Sequence, residues 1–91
     1  YLVNSQSGDY NNSPMVRSYI LIRFLAGFES TALSQVRVIP GIAEVNPVFG
    51  HWDAIAVAET KNLHELSRLV TSQIRGIQGV QDTETLVHAE L

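Results

Sequence analysis

The sequence predicts a small α+β domain in the order βαββαβ, a four-stranded antiparallel sheet with two helices on one face. Three observations carry that expectation. The chain has 91 residues, one domain's worth. Short β-branched and aromatic segments alternate with segments whose apolar residues recur at helical spacing. A weak internal repeat aligns Arg37-Val38-Ile39-Pro40-Gly41-Ile42 with Arg75-Gly76-Ile77-Gln78-Gly79-Val80. Each copy marks a helix end followed by a strand, so the chain divides into two βαβ halves.

The elements follow in order from Arg17. Ser18–Leu25 is β-branched and aromatic and has a strand's length; Ala26-Gly27 breaks it. Glu29–Ile39 places Ala32, Val36 and Ile39 on one helical face, with acidic Glu29 at the end where the helix dipole favours negative charge. Pro40-Gly41 stops it. Ile42–Phe49 reads as the second strand, with Pro47 at an edge or bulge because proline has no N–H for a ladder. Gly50-His51 reads as a tight turn and Trp52–Glu59 as the third strand. Asn62 with Glu65 three residues on is an Asn-x-x-Glu form of the capping box. The helix it opens carries the apolar stripe Leu63, Leu66, Val70, Ile74 and Ile77 and ends at Gly76 or Gly79. Asp82–His88 is the last strand. Right-handed crossovers put both helices on the same side of such a sheet, the ferredoxin-like split βαβ arrangement.

Composition narrows the function. The formal net charge is −3, whereas a stand-alone nucleic-acid binder shows a basic stripe. The absence of cysteine removes disulfides, thiolate metal sites and cysteine nucleophiles. No apolar run approaches a membrane-spanning length, and residues 1–14 lack the basic start and apolar core of a signal peptide. That segment, rich in Asn, Ser and Gly, reads as a linker, an N-terminal arm or residues added for expression; residues 15–91 form the domain, with Met15 as a natural start. No metal site and no cofactor are expected. His51, His64 and His88 have no ligand spacing, the carboxylates are scattered over different elements, and there is no Gly-rich phosphate loop. An enzymatic role is not expected.

Charged residues make up only 16% of the chain, against about 25% in ordinary soluble domains, a first sign of self-association. The strands give a second. In the first, Ile20, Ile22 and Phe24 alternate with Tyr19, Leu21, Arg23 and Leu25, so both faces are largely apolar. In the third, Ile55 and Val57 alternate with Trp52, Ala54, Ala56 and Ala58. A half-solvated antiparallel sheet alternates apolar with polar instead. The open face is therefore expected to pack on a second copy, with Tyr19, Leu21, Arg23, Trp52, Ala54 and Ala56 at the dimer interface. Arg23, the odd residue there, is expected to pair with an acidic residue at the sheet's rim.

Taken together, Ile39-Pro40-Gly41-Ile42, Val48-Phe49-Gly50-His51-Trp52-Asp53-Ala54, Ile74-Arg75-Gly76-Ile77-Gln78-Gly79-Val80 and Thr83-Glu84-Thr85 resemble the AsnC/Lrp-type effector domain, also called the regulation of amino-acid metabolism domain. The similarity covers residues 17 to 88. The family's Gly-x-Tyr-Asp hairpin reads Gly50-His51-Trp52-Asp53 here, so an aromatic is kept but a tyrosine hydroxyl is lost. The resemblance implies a homodimer that assembles into tetramers, octamers or rings, and a small effector, an amino acid or related metabolite, bound between dimers. Full-length members carry an N-terminal helix-turn-helix. Residues 1–14 have no room for one, which implies a stand-alone or excised effector domain without direct DNA contact, able to co-assemble with full-length relatives in the cytoplasm and modulate them.

The expected ligand residues are Gly50, His51, Trp52, Asp53, Thr83 and Thr85. Asp53 would accept from an α-ammonium group, Thr83 and Thr85 would hold a carboxylate, and His51 and Trp52 would form a wall. Each has a plainer reading: an Asp after a glycine turn caps backbone N–H groups, and paired threonines fit any strand. Two other functions share the topology, a structural ring without ligand and a dimeric α+β barrel enzyme.

Overall fold

A computed structural model of the protein describes residues 15–89. Segment 1–14, read above as linker, arm or added residues, lies outside the described residues. The elements are β1 (Val16–Phe24), α1 (Glu29–Arg37), β2 (Ile42–Pro47), β3 (Ala54–Thr60), α2 (Leu63–Arg68, running on as π-helix over Leu69–Ile74) and β4 (Val80–Val87). The strands form one antiparallel sheet in the order β2-β3-β1-β4. This is the ferredoxin-like βαββαβ arrangement. Among the described residues no helix is long and apolar enough to cross a membrane.

Local chemistry explains the element ends. The Asn62 side chain accepts from the Glu65 N–H at 2.8 Å, the first half of the expected capping box. The internal repeat is a repeat of hydrogen bonds. Ile42 N–H reaches Ile39 O at 3.1 Å, and Val80 N–H reaches Ile77 O at 3.2 Å. Gly41 and Gly79, at the same place in each copy, have φ of +101° and +102°, a left-handed conformation that a side chain penalises. Their carbonyls then take the next strand over: Gly41 O accepts from Glu59 N and Gly79 O from Leu25 N, at 2.8 and 2.7 Å.

The core lies between the helices and one sheet face. It joins Ile20, Ile22 and Phe24 of β1 and Ala54, Ala56 and Ala58 of β3 to Ala32 and Val36 of α1 and Leu66, Leu69, Val70 and Ile74 of α2. Small alanines on the central strand β3 let the helices come close, and the larger β1 side chains fill the space. Leu63, expected in the α2 stripe, is exposed, while Leu69 is buried. The π-helical stretch accounts for the second change, since its wider turn, with Arg75 N–H on Val70 O at 2.9 Å, brings Leu69 and Val70 both onto the sheet.

Register corrects the expected interface. Ile20 pairs with Ala56 and Ile22 with Ala54, and paired residues share a face. Ala54 and Ala56 therefore lie under the helices, with no exposed surface, and not at the open face. Sequence alternation within one strand separates two faces but does not say which is which. The open face instead carries Tyr19, Leu21 and Arg23 of β1, with Val57 beside Tyr19, Ile55 beside Leu21, and Leu86 across from Tyr19 on β4.

This apolar stripe is bordered by charge. Arg17 bonds Glu59 at 2.7 Å, and its guanidinium lies 6.0 Å from the Tyr19 ring centre. Tyr19 first, then the Glu59 and Glu44 carboxylates, raise the Arg17 pKa above its ordinary value, so the residue stays charged. At the end of the stripe the Tyr19 hydroxyl lies 3.3 Å from His88 Nδ1.

Candidate functional site

The connection between β2 and β3 spans residues 48–53. Its strands stop short of the expected ends: β2 closes at Pro47, and β3 opens at Ala54 rather than Trp52. Val48 N–H on Asp53 O at 2.9 Å closes a longer loop than the expected two-residue turn. Gly50 sits at its tip with φ +138°, and nothing lies within 4 Å of where a side chain would begin. Phe49 beside it is fully exposed.

Asp53 anchors this loop to β1. Its N–H donates to Ile22 O at 2.9 Å, and its Oδ2 accepts from the Phe24 N–H at 2.9 Å. The regular pairing of β1 with β3 ends at Ile22 and Ala54, so the carboxylate continues the ladder where the β3 backbone has turned away. The plainer expectation, a carboxylate capping backbone N–H groups, thus describes one Asp53 oxygen, although the N–H belongs to a neighbouring strand and not to the turn. No hydrogen bond within the described residues occupies Oδ1.

Arg23 completes the arrangement, and not as expected. Its Nη2 donates to His51 Nε2 at 2.6 Å and to His51 O at 3.0 Å, and its guanidinium lies 5.3 Å from the Trp52 ring centre. His51 meets Trp52 edge-on, with ring centres 5.3 Å apart. Because a guanidinium only donates, His51 Nε2 is the acceptor in this contact. Among the described residues Arg23 has no acidic partner, contrary to expectation. Its cross-strand neighbour Asp82 accepts from the Thr83 N–H instead. Trp52 is thus packed against Arg23, a residue of the open sheet face.

Thr83 and Thr85 pair with Ile22 and Ile20. That puts them on the helix-covered side of edge strand β4, where both are half-buried and Arg75 Nε donates to Thr83 Oγ1 at 3.4 Å. Two strand spacings, about 10 Å, separate them from Asp53 across β1. Within one chain, Gly50, His51, Trp52 and Asp53 form one patch, and Thr83 and Thr85 form another. Arg23 is the hairpin residue that sequence reasoning assigned elsewhere; its place in the register, beside the hairpin's anchor, was the missing signal. Among the described residues no group of three His, Asp or Glu side chains is disposed to hold a metal ion.

Comparison with known proteins identifies the family and the fold. The model of the Lrp/AsnC ligand binding domain matches residues 20–90. An uncharacterised HTH-type transcriptional regulator of Pyrococcus horikoshii is 36% identical over 73 residues, 77% of this chain and 49% of that protein. The chain thus spans about half the length of the curated relatives it matches. A crystal structure from Thermus thermophilus superposes with a TM-score of 0.80 at 31% identity, covering 85% of this chain and 96% of that one. A Neisseria meningitidis transcriptional regulator, solved as its L-Met complex, shares the fold with a TM-score of 0.75 at 18% identity, over 82% of this chain and 50% of that one. The family is a regulatory, ligand-binding one and not a family of enzymes. By its fold and by the match of the family model over most of the chain, the protein belongs to the Lrp/AsnC ligand-binding domain family.

Proposed function

We propose that the domain is an effector-sensing and oligomerisation module. It dimerises through the open sheet face, binds a small amino acid or related metabolite between dimers at the Gly50–Asp53 hairpin, and modulates transcription regulators of its family in the cytoplasm, alone or by joining full-length relatives. The observation that carries the reading is the hairpin, held rigid by Arg23, His51 and Trp52, with one oxygen of Asp53 left for a cationic group. Its relation to a regulator crystallised with L-Met supports the ligand class. Thr83 and Thr85 lie too far away to meet the same small ligand in one chain, so their proposed role in holding a carboxylate requires a second copy.

The apolar stripe Tyr19, Leu21, Ile55, Val57 and Leu86 favours dimerisation, because such patches are seldom left open in a soluble monomer. Sheet-on-sheet packing about 10 Å apart would cover it. The same stripe supports a second reading, an assembly protein that needs no ligand.

The test is a thermal-shift screen against the twenty amino acids at millimolar concentration, followed by sedimentation. A ligand at a hundred times its Kd stabilises by about 2.7 kcal/mol, several degrees for a domain of this size. One responsive amino acid that also changes the sedimenting species fits the proposal. A stable oligomer that ignores all of them overturns amino-acid sensing and leaves the assembly reading.

A further inference from the structure

Arg23 stands between two sets of partners on the open sheet face. Its guanidinium turns toward the hairpin, where Nη2 donates to His51 Nε2 at 2.6 Å and to His51 O at 3.0 Å, and the charge lies 5.3 Å from the Trp52 ring centre. On its other flank is β4. Asp82 is its cross-strand partner and Glu84 is that of Leu21, so both carboxylates share the face of Arg23. Directly opposed Cβ atoms lie about 4.5 to 5.5 Å apart and diagonal ones about 7 to 8 Å, within the reach of a long side chain. Neither carboxylate has an ion-pair partner among the described residues, and Asp82 Oδ1 accepts from the Thr83 N–H at 2.9 Å.

An arginine that bonds an imidazole with carboxylates in reach is held by a contact that depends on a proton. His51 Nε2 accepts only while that nitrogen is unprotonated. A proton there removes the acceptor and sets a second cation against the first. The bond to His51 O alone then holds Arg23, whereas Asp82 and Glu84 offer charge-assisted bonds, the stronger class. The other charged groups nearby are already engaged or lie elsewhere. Asp53 of the loop holds the Phe24 N–H. Glu59 of β3 pairs with Arg17 at the far end of the sheet, and Glu44 of β2 lies across from Val57, level with Tyr19. His88 lies beside Tyr19, and Arg75 meets Thr83 on the helix-covered side.

We propose that Arg23 and His51 form a proton-controlled latch on the β2–β3 hairpin. With His51 neutral, Arg23 holds His51 and Trp52. With His51 protonated, Arg23 crosses to Asp82 and Glu84, and the hairpin is released. Histidine changes charge between about pH 5 and 8, where carboxylates ordinarily stay ionised, so the latch is closed at the upper end and opens as pH falls. Loss of the bond to Nε2 moves the ratio of the two arrangements about tenfold or more toward the open one. The latch is a property of the hairpin's conformation and stands whether or not the hairpin takes an effector.

The experiment is an NMR titration of the whole chain from about pH 8 to about pH 5. It follows the His51 ring, the Arg23 Nε–H and the amides of residues 49–52 and Thr83. Fluorescence of Trp52, the one tryptophan of the chain, is read alongside. The Thr83 amide reports the arrival of Arg23, because its acceptor is Asp82 Oδ1. The expected result is that the hairpin, Arg23 and Thr83 signals all move with the midpoint of the His51 ring. His51→Gln keeps an acceptor that does not titrate, so in this variant those signals should hold their high-pH positions throughout. In Arg23→Met the His51 ring should still titrate, and the Thr83 amide should no longer follow it. His51 is exposed and Arg23 only half-buried, so both variants keep the fold, and an unchanged spectrum elsewhere verifies that. A Thr83 amide in the unmodified chain that ignores His51 protonation overturns the latch. So does a hairpin that stays fixed while His51 titrates, or one that still titrates in His51→Gln.

Discussion

Asp53 stands in two roles, and two substitutions separate them. Its Oδ2 bond to the Phe24 N–H, at 2.9 Å, is the only tie the side chain makes to β1. Phe24 is buried, at 6% exposure, so removing the acceptor leaves a backbone donor that water reaches poorly. A hydrogen bond to a charged group contributes about 1.5 to 3 kcal/mol. Asp53 itself is only half-buried, so the lower part of that range applies. Asp53→Ala should therefore cost about 1.5 to 2 kcal/mol, a fall in Tm of about 6 to 16 °C for a domain of this size. Asp53→Asn keeps a carbonyl oxygen in the same place and should cost about 1 kcal/mol or less. Ligand response should follow a different order. An α-ammonium group needs the charge as well as the oxygen, so both variants should lose the thermal shift given by the active amino acid. Denaturant unfolding at one fixed protein concentration measures the first effect, and the metabolite screen measures the second. If Asp53→Asn responds to ligand as the unmodified protein does, Asp53 is a strut and not a ligand contact. If Asp53→Ala is as stable as Asp53→Asn, the ladder argument fails.

The remaining predictions use the same assays. Gly79→Ala should cost more than Gly41→Ala, although both have left-handed φ, because a new Cβ at Gly79 meets the Phe28 ring root at 2.8 Å and at Gly41 only the tip of Leu69; about 1 to 2 kcal/mol of backbone strain is common to both, and crowding adds about 1 to 3 more at Gly79. Ser18→Ala should be neutral or stabilising by up to about 1 kcal/mol, since the buried Ser18 hydroxyl has no hydrogen-bond partner among the described residues. Leu21→Asp, which puts a charge in the open-face stripe and across from Glu84, should leave a folded monomer by sedimentation. Arg23→Met should leave stability within about 1 kcal/mol but speed amide exchange over residues 49–52, whose conformation the His51 and Trp52 contacts hold.

Some of this was legible in the chain because it rests on local chemistry. Proline and glycine ended the elements, Asn62 and Glu65 began a helix, and the matched Ile-x-Gly-(Ile/Val) segments marked two helix ends, each followed by a strand. Period and order then leave few topologies open, and the ferredoxin-like sheet was one of them. The hairpin motif was visible for the same reason, as a glycine-centred turn followed by an acidic residue.

Register was not legible, and it decided the rest. Whether Ala54 and Ala56 face helices or a partner depends on which residues of β1 they meet, and alternation alone has two solutions. Pairing with Ile22 and Ile20 chose the core. The same register set Arg23 beside the hairpin, gave Asp53 a backbone N–H to hold, and put Thr83 and Thr85 on the far side of the sheet. A groove at the opposite end of β3 joins residues from Met15 to Gln73, a juxtaposition with no trace in sequence spacing. The sequence by itself determined the elements, their order and the family, because turns, caps and periodicity act over a few residues. Only the tertiary structure decided which faces are buried and which side chains meet, because cross-strand pairing and helix packing join residues far apart in the chain.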